Sequence, residues 1–350
     1  MSLKTVFAVT TLITANLVIN SAHAQQKTLY IGMNGGNFER AFSEHVLPPF
    51  EKENNVKIVI VPGTSADIIA KAMASKDNPQ MHLILLDDGI MSRAISNGLC
   101  QQINDSPEFK NLAPEAIMEN RMAIGIDMGM TGIGYNKRMF DENNWPAPTS
   151  WTDFTDPKYK GKVVFQSASV SSFGLHAFLM LNRIEGGSEK DVEPGFVFFS
   201  KKVAPNVIEY IPNSSKISEM IQTNEAAIFP LSPTAVANMK DKGINVAYAQ
   251  PKEGAVLLMV MECSIANNSE PELTQKLAHY LLSPEAQKLA LDNGNIMPSN
   301  LTVHASTQGA EQHLEEFKGY LKNVVVVDWN AINEKRQEWN NHWNRKIERQ

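Results

Sequence analysis

The sequence predicts an α/β protein of two lobes joined by two chain crossings. Three observations carry that prediction. Short apolar runs alternate with segments of helical period from residue 29 onward. Two long apolar runs, 122–140 and 254–268, are placed to lead the chain out of one lobe and back into it. Between them the Pro- and Trp-containing stretch 143–162 has little periodicity and marks a boundary. At 350 residues the chain suits two cores better than one.

The first residues read as a secretory leader. A weakly positive start, Met1 to Lys4, precedes an uncharged apolar stretch to Ile19, and "SAHAQQ" puts Ala22 and Ala24 at the small-residue positions of a cleavage site. Cleavage after Ala24 is expected. No Cys follows the cut to take a lipid, and no later run reaches the roughly 18 consecutive apolar residues of a membrane span. A soluble protein of the periplasm is the expectation.

Lobe one opens with a strand through Leu29–Met33, a turn "NGGN" and a helix phased on Phe38, Ala41, Phe42 and Val46. A strand at 56–62, a helix capped by Thr64 and Asp67, a strand at 81–88 and a helix ending at Gly98 follow. That alternation implies a parallel sheet wrapped by helices. Lobe two supplies the strand "VVF", a Ser-initiated helix from "SVSSFG", a strand "VIEYI", a helix "SSKISEMIQTN", and a strand, turn and helix in "AAIFPLSPTAVANMKDKG". After the return come helical segments, one led by Ser283-Pro284-Glu285, and a terminal helix whose Trp339 and Trp343 are spaced for packing. The expected division is 25–131 with 263–310 as lobe one, 132–262 as lobe two, and 311–350 as a helical segment packed on both.

The formal net charge of −6 speaks against nucleic acid, which calls for a basic face. Cys100 and Cys263 stand far apart, and two buried free thiols are the expectation. There is no GxSxG, HExxH, Walker loop or GxGxxG, and no histidine pair at metal spacing. Neither catalysis, a cofactor nor a metal is expected.

Candidate binding residues lie where strands run into helices, the positions that face a cleft. Asn34, Gly35, Gly36 and Asn37 form the first such turn, with Phe38 behind it. Its glycines admit a solute close to the backbone, or Asn37 simply caps the helix. Ser65 opens the next helix. Asp87 and Asp88 end the third strand and either receive an ammonium group or cap the helix that follows. Ser169, Ser171, Ser172 and Phe173 open a lobe-two helix, offering an anion site or plain capping. Ser232 and Thr234 begin another, beside Phe229, which is either a contact or core. Asp127, near the first crossing, is a solvated strand residue or serves closure.

In order and spacing, "NGGNFERAFSEHVLPPFEKENNVKI", "NPQMHLILLDDG", "GIGYNK", "PTSWTDFTDPKYKGKVVF", "NEAAIFPLSPTAVANMKDKG", "YAQPKEGAVLLM" and "LLSPEAQKLALDNG" resemble the periplasmic solute-binding proteins of ABC importers, in the branch holding the spermidine/putrescine-binding proteins. The resemblance spans essentially the whole chain after the leader. It implies a type II periplasmic binding fold that closes on one small solute and then docks on a membrane permease driven by an ATPase. The polyamine binders place a tryptophan and an aspartate just after "PKEG"; here Leu258 and Val260 take those places, and Glu262 substitutes only if the alignment shifts. The tryptophan common in relatives near 229–234 is missing too. Iron-binding relatives use adjacent tyrosines, which this chain lacks. The expectation is therefore a monomeric receptor for an amino acid-like solute with a carboxylate or phosphonate, with a polyamine as the alternative. A periplasmic hydrolase or a chemoreceptor-coupled sensor on the same scaffold is the rival from another class.

Overall fold

The computed structural model describes residues 26–349. The expected leader and its cleavage point lie outside the described residues. The first part of the chain gives β1 (Lys27–Asn34), α1 (Asn37–Ala41), α2 (Leu47–Asn54), β2 (Val56–Gly63), α3 (Ser65–Ala74), β3 (Leu83–Asp87), α4 (Asp88–Ser96) and β4 (Cys100–Gln101). β1 is flanked in parallel by β2 and β3. α3 begins with a reciprocal cap: the Asp67 amide donates to Thr64 Oγ1, and the Thr64 amide donates to the Asp67 carboxylate.

β5 (Ile124–Asn136) then carries the chain into the second half, which holds α5 (Lys137–Glu142), β6 (Val163–Gln166), α6 (Ser172–Ile184), α7 (Glu193–Phe198), β7 (Val207–Ile211), α8 (Ile217–Gln222), β8 (Ile228–Leu231), α9 (Pro233–Asp241) and β9 (Val246–Ala249). β10 (Ala255–Ile265) brings it back to α10 (Pro271–Leu281), α11 (Pro284–Gly294), α12 (Gln308–Tyr320), β11 (Val324–Val325) and α13 (Trp329–Lys346).

Among the described residues the strand order is β2-β1-β3-β10-β5-β8-β6-β7, with β4 and β11 on β10 and β9 on β5. β10 runs antiparallel to both β3 and β5. Their antiparallel pairing follows from a chain that leaves on β5 and returns on β10. One apolar cluster gathers Leu29, Ile31, Leu83, Leu85, Met130 and Met261. Two others lie in the second half, one holding Val163 and Phe165 and the other Val164. That division is the two-residue alternation of a strand buried on both faces. α12 adds Leu314 and Phe317 to the first cluster, whereas α13 adds Ile332, Trp339 and Trp343 to the second. Trp343 lies 4.8 Å from Phe199 and 5.9 Å from Phe165, ring centre to ring centre. The fold is the two-lobe α/β architecture that the sequence predicts.

The cysteines correct an expectation. Cys100 and Cys263 form a disulfide across a sequence separation of 163. β4 pairs with β10 so that Cys100 stands opposite Ile265, bringing it beside Cys263. Nothing local in the sequence announces that pairing. The bridge closes a long loop, the condition under which a cross-link constrains the unfolded chain most. Replacing both cysteines by alanine should lower unfolding stability by about 2–4 kcal/mol. Reductant should lower the melting temperature of the native chain and leave the double variant unmoved; equal sensitivity of the two would refute the assignment.

Candidate functional site

Three parallel strands of the first half end side by side, and each delivers a polar residue to the same edge. β1 ends in Asn34, β2 leads through Thr64 to Ser65, and β3 ends in Asp87. The Asp87 amide donates to Ser65 Oγ at 3.1 Å, and Asn34 Nδ2 reaches the Asp87 carboxylate at 3.5 Å. Across the gap, Ser172 Oγ on α6 donates to the other Asp87 oxygen at 2.9 Å. Asp87 is therefore the point where groups from both halves converge.

The register of the central strands adds a second carboxylate. Val260 of β10 stands opposite Asp87 of β3 on one side and opposite Asp127 of β5 on the other. Directly paired residues share a sheet face, and adjacent strands lie about 4.8 Å apart, so the two aspartates flank Val260 with backbones roughly 10 Å apart. Loss of water raises the Asp87 carboxyl above its ordinary range, partly offset by the Ser172 hydroxyl. Burial likewise raises Asp127 to about 7, against a hydrogen bond from the Met297 backbone, with the neighbouring Asp87 charge pushing the same way as burial. Among the described residues no lysine, arginine or histidine forms an ion pair with either. Nor is any group of three or more His, Cys, Asp or Glu among them arranged to hold a metal ion.

Asp88 turns away from this pair. It is 5% exposed and receives the Trp329 indole and the Gly89 and Met259 backbone amides, while burial raises it to about 7. It is bonded into the protein rather than free for an incoming ammonium. Several other expectations are corrected. Phe229 is core: it is fully buried and packs on Gly134, where a Cβ would stand 2.4 Å from its ring. Ser171 Oγ is spent on Gln166, and Ser232 Oγ accepts the Ala235 amide as the cap of α9. Asn37 does not cap its helix. Gly36 does, at φ +76, and Asn37 Nδ2 donates instead to the Gly294 carbonyl. Phe38 stacks on Phe42 at 4.6 Å. Gly35 is exposed at the rim, Ser169 Oγ lies 2.9 Å from Ser167 Oγ, and Phe173 and Thr234 are half-buried along the lobe-two wall. The structure thus brings Asn34, Ser65, Asp87 and Ser172 together, and Asp127 joins them although its sequence context pointed elsewhere.

Glu262 is no clamp. It lies within the sheet, in register with Leu85 and Ile124, fully buried, with neither carboxylate oxygen hydrogen-bonded.

A family model described as bacterial extracellular solute-binding protein matches residues 46–319. The chain belongs to that family. Its role is that of an extracellular solute-binding protein. Among its relatives is the spermidine/putrescine-binding periplasmic protein of Escherichia coli, 24% identical over 82% of each chain. Another is the putative 2-aminoethylphosphonate-binding periplasmic protein of Salmonella typhimurium, 21% identical over 79% of this chain and 78% of that one. A crystal structure of an ABC transporter from Clostridium perfringens superposes with a TM-score of 0.76 at 22% identity, covering 91% of this chain and 99% of that one. The last likeness speaks to the fold alone.

Burial holds the Glu262 carboxyl well above its usual range. The folded state keeps that proton where the unfolded chain releases it, so stability falls as pH rises above the ordinary glutamate range. Glu262→Gln removes the effect. Urea unfolding at pH 5 and pH 8 should show the variant gaining on the native protein at the higher pH. A difference independent of pH would mean that Glu262 is ionised in the folded protein.

Proposed function

We propose that the solute carries an ammonium group, received by Asp87 and Asp127 over the apolar floor of Val260. One observation carries this reading: two desolvated carboxylates flank one residue at the cleft edge and have no cationic partner among the described residues. A buried charge without a counter-charge is costly, and a bound cation removes the cost. The lobe-two wall suggests what the other end of the solute is. Helix α6 starts at Ser171 without a side-chain cap, leaving first-turn amides beside Ser172 for an anionic group. An amino acid-like zwitterion, ammonium on lobe one and carboxylate or phosphonate on lobe two, uses both surfaces and draws the lobes together. Two relatives support an amine, being named for polyamines and for 2-aminoethylphosphonate. A polyamine is the second reading, favoured by the presence of two aspartates.

On this reading the protein acts in the periplasm after cleavage behind Ala24. It closes by bending where β5 and β10 pass between lobes, and hands its solute as a monomer to a membrane permease with its ATPase. It performs no catalysis; release of a bound solute chemically unchanged tests that.

Titration calorimetry with γ-amino acids, 2-aminoethylphosphonate, putrescine, spermidine and amine-free dicarboxylates tests the proposal. Amine-bearing compounds should bind and the amine-free ones should not. Asp87→Asn should weaken the best binder at least tenfold, about 1.4 kcal/mol. Strong binding of the amine-free acids, unaffected by that change, would overturn the ammonium reading.

The raised carboxyls predict a pH dependence. Asp127 is substantially protonated below about 7 in the free protein, and an ammonium group favours its ionised form. Affinity should therefore rise from pH 6 to pH 8, and Asp127→Asn should flatten that rise. A slope unchanged in the variant would remove Asp127 from the site.

A further inference from the structure

A cavity of about 510 Å³ lies where the two halves meet; Asn37 and Arg40 line it, and neither Asp87 nor Asp127 does. Its lobe-one wall is formed by α1, the end of α11 and the start of α12, and its lobe-two wall by the end of α9. One side chain stitches these walls together. Asn295, left-handed at φ 52 just after α11, donates its amide to Asn238 Oδ1 and to Asp241 Oδ2, each at 3.0 Å. The cavity exists in this form only while the lobes are in contact.

The charges around it are unequally satisfied. Asp241 is taken up by Asn295, while Asp292 accepts Lys288 at 2.9 Å and the Ser306 amide at 2.7 Å. The cations are not matched in this way. Among the described residues the Arg40 guanidinium donates only to the side-chain Oδ1 of Asn37, at 2.6 Å, and Lys242 has neither an ion pair nor a side-chain hydrogen bond. They come from opposite lobes. The wall also holds His313, whose Nδ1 is buried without a hydrogen-bond partner, and the first turn of the 13-residue helix α12 at Gly309. Acids that are engaged, two cations that no carboxylate pairs, and the start of α12, where Thr307 Oγ1 takes the Ala310 amide and leaves the Gln308 and Gly309 amides to the hollow, make a receptor for negative charge.

We infer that this cavity is a second binding site, for a small multivalent oxyanion bearing phosphate or carboxylate groups, and that its occupancy holds the lobes together. An anion bridging Arg40 and Lys242 binds the closed arrangement better than the open one, and a ligand with that preference shifts the population toward closure. The inference stands apart from the identity of the solute in the main cleft.

The test uses inorganic phosphate and, in a parallel arm, citrate, each against sodium chloride at matched ionic strength, with no cleft solute added. Phosphate or citrate should raise the melting temperature beyond the salt control and shrink the radius of gyration measured by X-ray scattering. The pair Arg40→Gln with Lys242→Gln should abolish both effects. Lys201→Gln with Lys202→Gln, an equal charge loss on exposed residues elsewhere, should retain them. Melting in sodium chloride alone verifies that each variant is folded. Asn295→Ala should keep anion binding, seen as phosphorus-31 line broadening, but weaken the contraction. Equal responses in both double variants would overturn the site, and anion binding without contraction would overturn its role in closure. The response of one anion and not the other distinguishes phosphate from carboxylate as the group recognised.

Discussion

The antiparallel pairing of β5 with β10 is the constraint on which the rest of the molecule depends. It is continuous from Val256 opposite Thr131 to Glu262 opposite Ile124, and so reaches from one core to the other. Its register contains one slip, between Val260 and Met261. Met261 faces Gly125, so an unbroken ladder would set Ile126 opposite Val260. The slip sets Asp127 there instead. A single extra residue turns the following side chains to the other face, and such bulges commonly re-aim a side chain beside a site. The aspartate pair exists because of that irregularity.

The pair is also where the protein accepts an electrostatic cost. The Asp87 charge disfavours ionisation of both Asp88 and Asp127, and burial raises all three. A fold selected for stability alone would replace such groups with apolar ones of similar size. Two features reconcile them with a stable lobe. Hydroxyl and amide donors from Asn34, Ser65 and Ser172 share the load on Asp87, and Val260 keeps apolar surface between the two charges. Val260 is thus an uncharged centre with a carboxylate on the strand to either side.

What the sequence made legible was local. The turn after β1, the reciprocal cap of α3, the Ser-Pro entry to α11 and the placing of Ser65, Asp87 and Ser172 at strand-to-helix junctions all depend on a few neighbouring residues. The two-lobe architecture was legible for the same reason, from the order of such units. What was hidden depends on pairing between distant strands. Sequence phase alone does not give register, so it leaves Glu262 open for the place that Val260 holds. Sequence alone fits Phe229 equally as contact or core, and its place is decided by Gly134 on the neighbouring strand, beneath its ring. The Cys100–Cys263 bridge needed β4 to find β10, and the link from Asn295 to α9 needed the lobes to meet.

Behind the cleft, adjacent residues take opposite roles. Asp87 ends a strand and faces Ser172 of the other half, whereas Asp88 begins α4 and faces the rear, where it accepts the Trp329 indole. That indole lies against Gly89 so closely that a Cβ there would stand 2.5 Å from it, and its ring centre is 5.6 Å from that of His176 on α6. His176 in turn lies 2.8 Å from Thr131 Oγ1 on the crossing strand. The chain Asp88–Trp329–His176–Thr131 therefore ties both halves to α13 at the back of the hinge. Burial lowers the His176 pKa to about 3, so the ring is neutral throughout the range in which Asp127 titrates. The His176–Thr131 contact is thus unaffected by the protons that come and go at Asp127, and a change of charge at the front of the sheet acts against a histidine link at the rear whose charge stays fixed.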